Sequence, residues 1–299
     1  MSDDALPPTV ALVLHFRDAG RTSRCMASLV REGVRRVLIV DNSDDRGASL
    51  ARLLGDGASG PWPGLVVDVL DPGTNLGFST GVNRGLARIG ELQPGCCVLL
   101  LNSDAELRAG CHEALRAGIR KGLQLASATM VSPGGGRLRC AYYQPYLALL
   151  SPRRMWGSFR YLSACCLMVA PALATSSLLD ERFFFYGEDI ALGWRLAEAG
   201  IAHDVVEGAS VDHEGSASSS NGSLFYEYHM ARAHLLLPRL LCRTRVERWT
   251  MLFARLFVLP LRATVRSIRA HTLVPWRGLL IAARELALEA EPSIQPGRR

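Results

Sequence analysis

The chain has 299 residues, 48% of them hydrophobic and 21% charged, with 34 basic against 28 acidic residues and a formal net charge of +6. That length and apolar content suit one large packed domain with an appendage, and they exclude a disordered chain, a heptad array or a repeat protein. Eight cysteines without a CxxC pair, mostly inside apolar runs, read as reduced core residues; the start Met-Ser-Asp-Asp has neither the basic segment nor the apolar stretch of a secretory signal, so the expectation is a cytoplasmic protein without a disulfide framework.

Along the chain, Thr9 to Phe16 reads as a buried strand, Gly20 to Arg31 as a helix, and Arg36 to Asp41 as a second strand ending in Asp41-Asn42. Leu65 to Leu70, a helix from Gly77 to Ile89 and a strand from Cys97 to Leu101 continue the alternation, which argues an α/β fold with a mostly parallel central sheet and helices on both faces. A helix over 108 to 120, a strand near 123 to 131 and a turn at Pro133-Gly134-Gly135-Gly136 follow, then a stretch without clear periodicity up to the apolar run Ser163 to Ala170. The Gly/Pro stretches at 55 to 64 and 132 to 136 are short enough to be loops within a domain. From Gly187 to Gly200 the apolar residues recur at helical spacing; a strand over Ala202 to Val206 and a loop at Asp212-His213, rich in Ser and Gly up to Ser223, come next. The remainder is helical: Leu224 to Leu241, Val246 to Arg269 with a break at Pro260, and Trp276 to Leu288. The expected organisation is a catalytic domain over residues 1–223 and a basic amphipathic helical region over 224–299.

Four segments carry chemistry. Glu188 and Asp189 form an acidic pair in the first turn of a helix, where the dipole favours negative charge and where a carboxylate can take a proton. Asn102-Ser103-Asp104 ends an apolar strand, and ligands of open α/β sheets bind outside strand carboxyl ends, which is where Asp104 could meet a hard cation and a diphosphate. Asn75 to Gly85 leads a strand into a helix, and Gly77 and Gly81 allow close backbone approach to an anionic ligand. The segment lacks the GxGxxG spacing and no Walker lysine follows, so dinucleotide and P-loop readings fit poorly. His213 at a strand end is a candidate metal ligand that needs partners close by.

The charge is unevenly spread. Residues 222–299 hold 13 arginines against 5 acidic residues, while the rest of the chain holds 21 basic and 23 acidic residues. Interleaved Trp249, Phe253, Leu256, Phe257, Val258 and Trp276 favour an anionic lipid surface over nucleic acid, for which no module motif is present. The bland alternative is a helical appendage with solvated arginines. The apolar stretch around Leu256 to Leu261 is far too short to span a bilayer.

Together these segments resemble glycosyltransferase family 2, in particular its bacterial rhamnosyltransferase-like branch, over about residues 9 to 235. Val37 to Asp45 resembles the family's nucleotide-contacting strand end, Asn75 to Gly85 its NxGF…GxNxG segment, Asn102-Ser103-Asp104 its DxD motif, Glu188-Asp189 its acidic pair, and His213 its late metal-binding histidine. The resemblance implies a GT-A-type fold and an inverting, metal-dependent hexosyltransferase. Such an enzyme would move a sugar, with rhamnose the family-level expectation, from a nucleoside-diphosphate sugar to a glycan or polyprenyl-diphosphate-linked acceptor of a cell-surface polysaccharide, as a peripheral protein at the inner face of the membrane. It implies Asp189 as general base and Glu188 as its orienting or acceptor-binding partner. Asp41 and Asn42 would contact base and ribose, and Asn75, Gly77, Phe78, Gly81, Asn83, Asn102 and Asp104 would line the nucleotide. Asp104 and His213 would ligate Mg²⁺ or Mn²⁺. Asn102 stands where the motif has its first Asp, so coordination would rest mainly on Asp104. A rival reading is a non-catalytic sugar-nucleotide-binding or scaffold protein of the same pathway, against which the retained Asp189 argues.

Overall fold

A computed structural model describes residues 6–55, 60–138, 141–214 and 222–288. In chain order its elements are β1 (Thr9–His15), α1 (Ala19–Arg31), β2 (Arg36–Asp41), α2 (Ala48–Leu54), β3 (Val66–Leu70), α3 (Gly77–Leu92), β4 (Cys97–Asn102), β5 (Ala105–Leu107), α4 (Cys111–Arg120), β6 (Leu125–Val131) and β7 (Arg137–Leu138). They continue with β8 (Ala141–Gln144), β9 (Leu149–Ser151), β10 (Phe159–Tyr161), β11 (Cys166–Val169), α5 (Glu188–Glu198), β12 (His203–His213), α6 (Leu224–Leu236), a 3₁₀ turn (Leu237–Arg239), α7 (Arg245–Ala270) and α8 (Val274–Ala287). The chain forms two compact units: the first comprises Met1–Cys140, Leu162–Glu181 and Leu196–Gly215, and the second Ala141–Tyr161, Arg182–Arg195 and Ser216–Arg299.

The first unit is built on one sheet with strand order β3-β2-β1-β4-β11-β6-β12-β5, to which β7 adds beside β6. β3, β2, β1 and β4 run parallel. The apolar runs dictate this half: Val10 to Leu14 and Val37 to Val40 are buried along their whole length, as strands covered on both faces must be. Beyond β4 the sheet is mixed, with β11 antiparallel to both β4 and β6 and β12 parallel to β6. α1 starts where the Asp18 carboxylate accepts from the Arg21 N–H at 3.0 Å and buries Cys25, Met26 and Leu29 in the core. α3 lies close on β1 because it presents glycines there: a Cβ at Gly81 would sit 2.9 Å from Leu14 Cδ2, and one at Gly85 2.4 Å from Leu12 Cδ1.

The second unit holds a small antiparallel sheet, β10-β8-β9, formed by the stretch that lacked periodicity, together with the start of α5 and the helices α6, α7 and α8. Tyr143, Tyr161, Phe183, Ile190, Leu237 and Met251 belong to its core. Gly193 brings α5 against β10, since a Cβ there would come within 2.5 Å of Tyr161 Cβ. At the end of α6, Pro238 has no N–H to offer the His234 carbonyl four residues back. The fully buried guanidinium of Arg255 supplies the missing donor, Nε to His234 O at 3.0 Å, and also reaches Tyr146 O at 2.9 Å and Tyr143 Oη at 3.2 Å. His234 Nδ1 lies 3.0 Å from Tyr143 Oη and its Nε2 2.8 Å from Arg262 Nη1. Burial, helped by Arg262 and Arg255, holds this imidazole well below its ordinary pKa, so it is neutral with the proton on Nδ1.

Several boundaries differ from the sequence reading. α7 runs unbroken through Pro260, correcting the expected break: the carbonyl that loses its N–H partner belongs to Leu256, on the exposed side of the helix where water can serve it. β12 extends eleven residues to His213 because β6 and β5 both offer it a pairing edge. α2 lay outside the sequence reading; its start is held by the Ser49 N–H bonded to Asp45 Oδ2 at 3.0 Å. Six of the seven described cysteines, all free, are buried. The Ser/Gly loop over 215–221, Cys140 and residues 56–59 lie outside the described residues. Among the described residues no helix is long and apolar enough to cross a membrane.

Candidate functional site

In the first unit, the carboxyl ends of the parallel strands gather the polar residues that interrupt the apolar runs. His15 is opposite Asp41 in the β1–β2 register, and Asn102 is opposite Leu14 in the β1–β4 register. Asp41 is buried and accepts from the Ser43 N–H at 3.1 Å. Asn42 is a clamp: its Nδ2 donates to Gly77 O at 3.0 Å and its Oδ1 accepts from the Leu76 N–H at 2.8 Å. Asn75 Oδ1 takes the Gly77 N–H at 2.9 Å, and Gly77 itself is left-handed at φ 76°. The entry to α3 is therefore held by two asparagines. Gly81 serves packing on Leu14, and Phe78 occupies the second residue of α3. Asn83 is buried with both ends of its amide engaged, Nδ2 to Leu179 O and Glu181 Oε1 and Oδ1 from the Leu179 N–H, so it positions the 179–181 segment.

Asp104 and His213 meet through sheet pairing. β4 ends at Asn102, the chain turns, and β5 pairs antiparallel with β12 so that Ala105 lies opposite His213. His213 Nε2 is then 3.3 Å from Asp104 Oδ1. Arg21 Nε and Arg24 Nη2 of α1 hold the neighbouring Glu214 at 2.8 and 2.6 Å, which fixes the end of β12. Burial opposes ionisation of Asp104, but the His213 hydrogen bond and charge, a backbone N–H and Arg21 outweigh it and keep the carboxyl below its ordinary pKa. Two ligands about 2.1 Å from one octahedral ion stand about 3 Å apart, so this pair has the spacing of neighbouring ligands. Asn102 Oδ1 is buried with no partner among the described residues. No group of three or more His, Cys, Asp or Glu side chains suited to a metal occurs among the described residues. Asp104 and His213 thus offer two donors at ligand spacing, and a hard cation held by them would take its remaining positions from water and substrate oxygens.

In the second unit, Gly187 at φ 97° turns the aromatic run Phe183–Tyr186 into α5, and Glu188 and Asp189 form its first turn. Glu188 is buried and its Oε2 finds no partner among the described residues; Asp189 is partly buried and its Oδ1 accepts from the Ile190 N–H at 2.8 Å. Burial raises the pKa of both carboxyls, and the charge of Asp189 raises that of Glu188 further. Two acids with different access and different proton affinity are what a general base and its partner require. His15, absent from the sequence candidates, is fully buried with Nδ1 2.8 Å from Thr22 Oγ1 and Nε2 3.0 Å from Ser49 Oγ, and burial lowers its pKa. Its signal was the one that marked Asp41 and Asp104, a polar residue closing an apolar strand.

No family model matches the chain. It is 28% identical, with coverage of 83% of this chain and 86% of the relative, to N-acetylglucosaminyl-diphospho-decaprenol L-rhamnosyltransferase from two strains of Mycobacterium tuberculosis. Its fold is similar to that of the mannosyltransferase PcManGT from Pyrobaculum calidifontis in complex with GDP-Man and Mn²⁺, with TM-score 0.52, 15% identity and coverage of 97% of this chain and 77% of that one. It is also similar to S. aureus TarS 1–349, with TM-score 0.51, 13% identity and coverage of 96% and 94%. At such identities the two structures speak to the fold alone. The motif resemblance is thus matched from both directions: the chain has the GT-A glycosyltransferase fold and is similar over most of its length to a rhamnosyltransferase.

Proposed function

We propose that the protein is an inverting glycosyltransferase that moves a sugar from a nucleoside-diphosphate donor to a polyprenyl-diphosphate-linked acceptor, with rhamnose as the sugar. The observation that carries the reading is the carboxylate pair at the head of α5, in a chain similar to a rhamnosyltransferase named for a diphospho-decaprenol acceptor. Asp189 takes the proton of the acceptor hydroxyl, whose oxygen forms a bond to the anomeric carbon from the face opposite the leaving group. The bond from that carbon to the diphosphate breaks, and the diphosphate leaves with the electron pair. Glu188, more buried and with the greater proton affinity, stays protonated beside Asp189 and offers a hydrogen bond that orients the acceptor or the base.

Donor binding is assigned to the first unit. The Asn42 clamp and the Asn75 turn set the wall of the nucleotide site, and Asp41 and Asn102 close it from the strand ends. Asp104 and His213 would hold Mg²⁺ or Mn²⁺, which when bound counters charge on the leaving diphosphate. The Mn²⁺ in the mannosyltransferase complex is in keeping with this assignment.

Membrane attachment is assigned to α7. Trp249, Phe253, Phe257, Leu261 and Val265 recur every four residues and are exposed, Trp249 at 69% and Phe253 at 63%. Met251, Arg255, Leu259, Ala263 and Ser267 have the same repeat, start two residues later and are buried, so they occupy the opposite side of the helix. The free row is therefore surplus to internal packing. The exposed Arg245, Arg248 and Arg269 on the same helix favour anionic headgroups, and apolar contact plus basic charge is a two-signal, reversible anchor. The proposed place is the inner face of the cell membrane.

Thermal unfolding in the presence of dTDP, UDP and GDP, each with and without Mn²⁺, tests the donor assignment, because a ligand that binds only the native state raises its stability. One nucleotide is expected to protect, and more so with metal; protection by none would overturn the reading.

A further inference from the structure

The charged side chains of α6 are accounted for with one exception. Glu227 accepts from Arg266 Nε at 2.9 and 3.0 Å, and His234 is held between Tyr143 and Arg262. Arg232 differs: its Nε and Nη1 are buried, and neither finds a hydrogen-bond partner among the described residues. A guanidinium cannot shed its charge, and charged donors cut off from both water and acceptors are costly. Helical geometry places it. Phe225, His229, Arg232 and Leu236 follow one another at steps of four, three and four and share one face of α6. That face meets the segment that leads into the acidic pair, since the His229 ring stacks on Phe184 at 5.5 Å, Phe225 lies 5.4 Å from Phe185, and a Cβ at Gly187 would come within 2.9 Å of Ala233 Cβ.

We propose that Arg232 is an anion-binding residue of the second unit, whose Nε and Nη1 donate to phosphate oxygens of a diphosphate-bearing substrate. The inference deepens the transferase reading and rests on it, because both substrates assigned above carry a diphosphate. Arg suits this role better than Lys, since it remains charged when desolvated and presents several donors to phosphate oxygens. Two buried charged donors without an acceptor attract an anion strongly, because a low local dielectric strengthens the interaction, and they cost the protein stability until one is bound. Arg232 therefore trades stability of the free protein for substrate binding.

The full chain and its Arg232→Met, Arg232→Gln and Arg232→Lys variants are compared by thermal unfolding and by equilibrium binding of dTDP, UDP, GDP and a short-chain prenyl diphosphate. Met and Gln are expected to leave the ligand-free melting temperature unchanged or raise it, while weakening one class of diphosphate by about tenfold to a hundredfold, the range for hydrogen bonds to charged groups. Lys is expected to recover part of the loss. Loss confined to the nucleotides assigns Arg232 to the donor, and loss confined to the prenyl diphosphate assigns it to the acceptor. Equal binding by Arg232→Met and parent would overturn the inference while leaving the transferase reading intact. A parent that binds neither class would instead overturn the transferase reading itself.

Discussion

Replacing Arg255 by Met should destabilise the protein by about 2 to 4 kcal/mol, a value that follows from what its guanidinium holds. Three acceptors lose a donor: His234 O, Tyr146 O and Tyr143 Oη. Tyr143 Oη keeps its bond to His234 Nδ1, and Met251 O, also touched by Arg255, remains in the helix ladder, so one buried and one part-buried carbonyl are left unsatisfied. Each costs about 1–3 kcal/mol, against which removal of a buried cation returns part. The cause of one of those orphans is Pro238, so Pro238→Ala supplies an N–H to His234 O and should reduce the effect of Arg255→Met. Urea unfolding of the two single mutants and the double mutant, followed by tryptophan fluorescence, measures that coupling, expected at about 1 kcal/mol. Additive effects within about 0.3 kcal/mol would refute the argument that Arg255 is buried to serve the carbonyl that Pro238 leaves unpaired.

Asp104→Ala and His213→Ala should each weaken nucleotide binding when divalent metal is present and leave metal-free binding unchanged; parent activity insensitive to EDTA would remove the metal from the account. Glu188→Gln should raise the melting temperature at pH 8 and have little effect at pH 4.5. The folded-state pKa of Glu188 lies above its unfolded value, so the stability contributed by its proton is complete below about 4.5 and is lost as pH rises toward about 8, whereas Gln stays neutral throughout. A melting-temperature difference that grew toward acid pH would contradict that sign. Phe253→Glu with Phe257→Glu should abolish flotation with anionic liposomes while the unfolding midpoint is retained, because both rings are exposed. Parent protein that floats equally with neutral and anionic lipids, or with neither, would remove the membrane role of α7.

The parallel half of the first sheet was legible because β1, β2 and β4 are buried on both faces and therefore read as unbroken apolar runs. The second unit was less so. β8, β9 and β10 are short and partly exposed, and only their pairing with one another makes them strands, which local pattern cannot report. Pro260 read as a break because the sequence does not say that its lost acceptor faces water. Within the candidate sites, residues that close apolar strands stood out, and the acidic pair stood out by its place at a helix start. The meeting of His213 with Asp104 depends on β5 folding back onto β12, a long-range pairing, although the residues themselves were visible. Asn42 and Asn83 were read as lining the nucleotide, and what the sequence did not show is that their amides also hold the entry to α3 and the 179–181 segment. Arg232 gave no signal at all, since an arginine in a helix ordinarily points to solvent and its isolation is a property of the packed state.

The central claim, sugar transfer with Asp189 as base, is tested most directly by Asp189→Asn, with turnover and nucleotide affinity measured on the same preparation. The substitution keeps the side chain's size and its bond to the Ile190 N–H but cannot accept the acceptor's proton. Turnover is expected to fall by about two to four orders of magnitude while nucleotide affinity stays within about twofold of the parent. Unchanged turnover in the Asn variant would contradict the account.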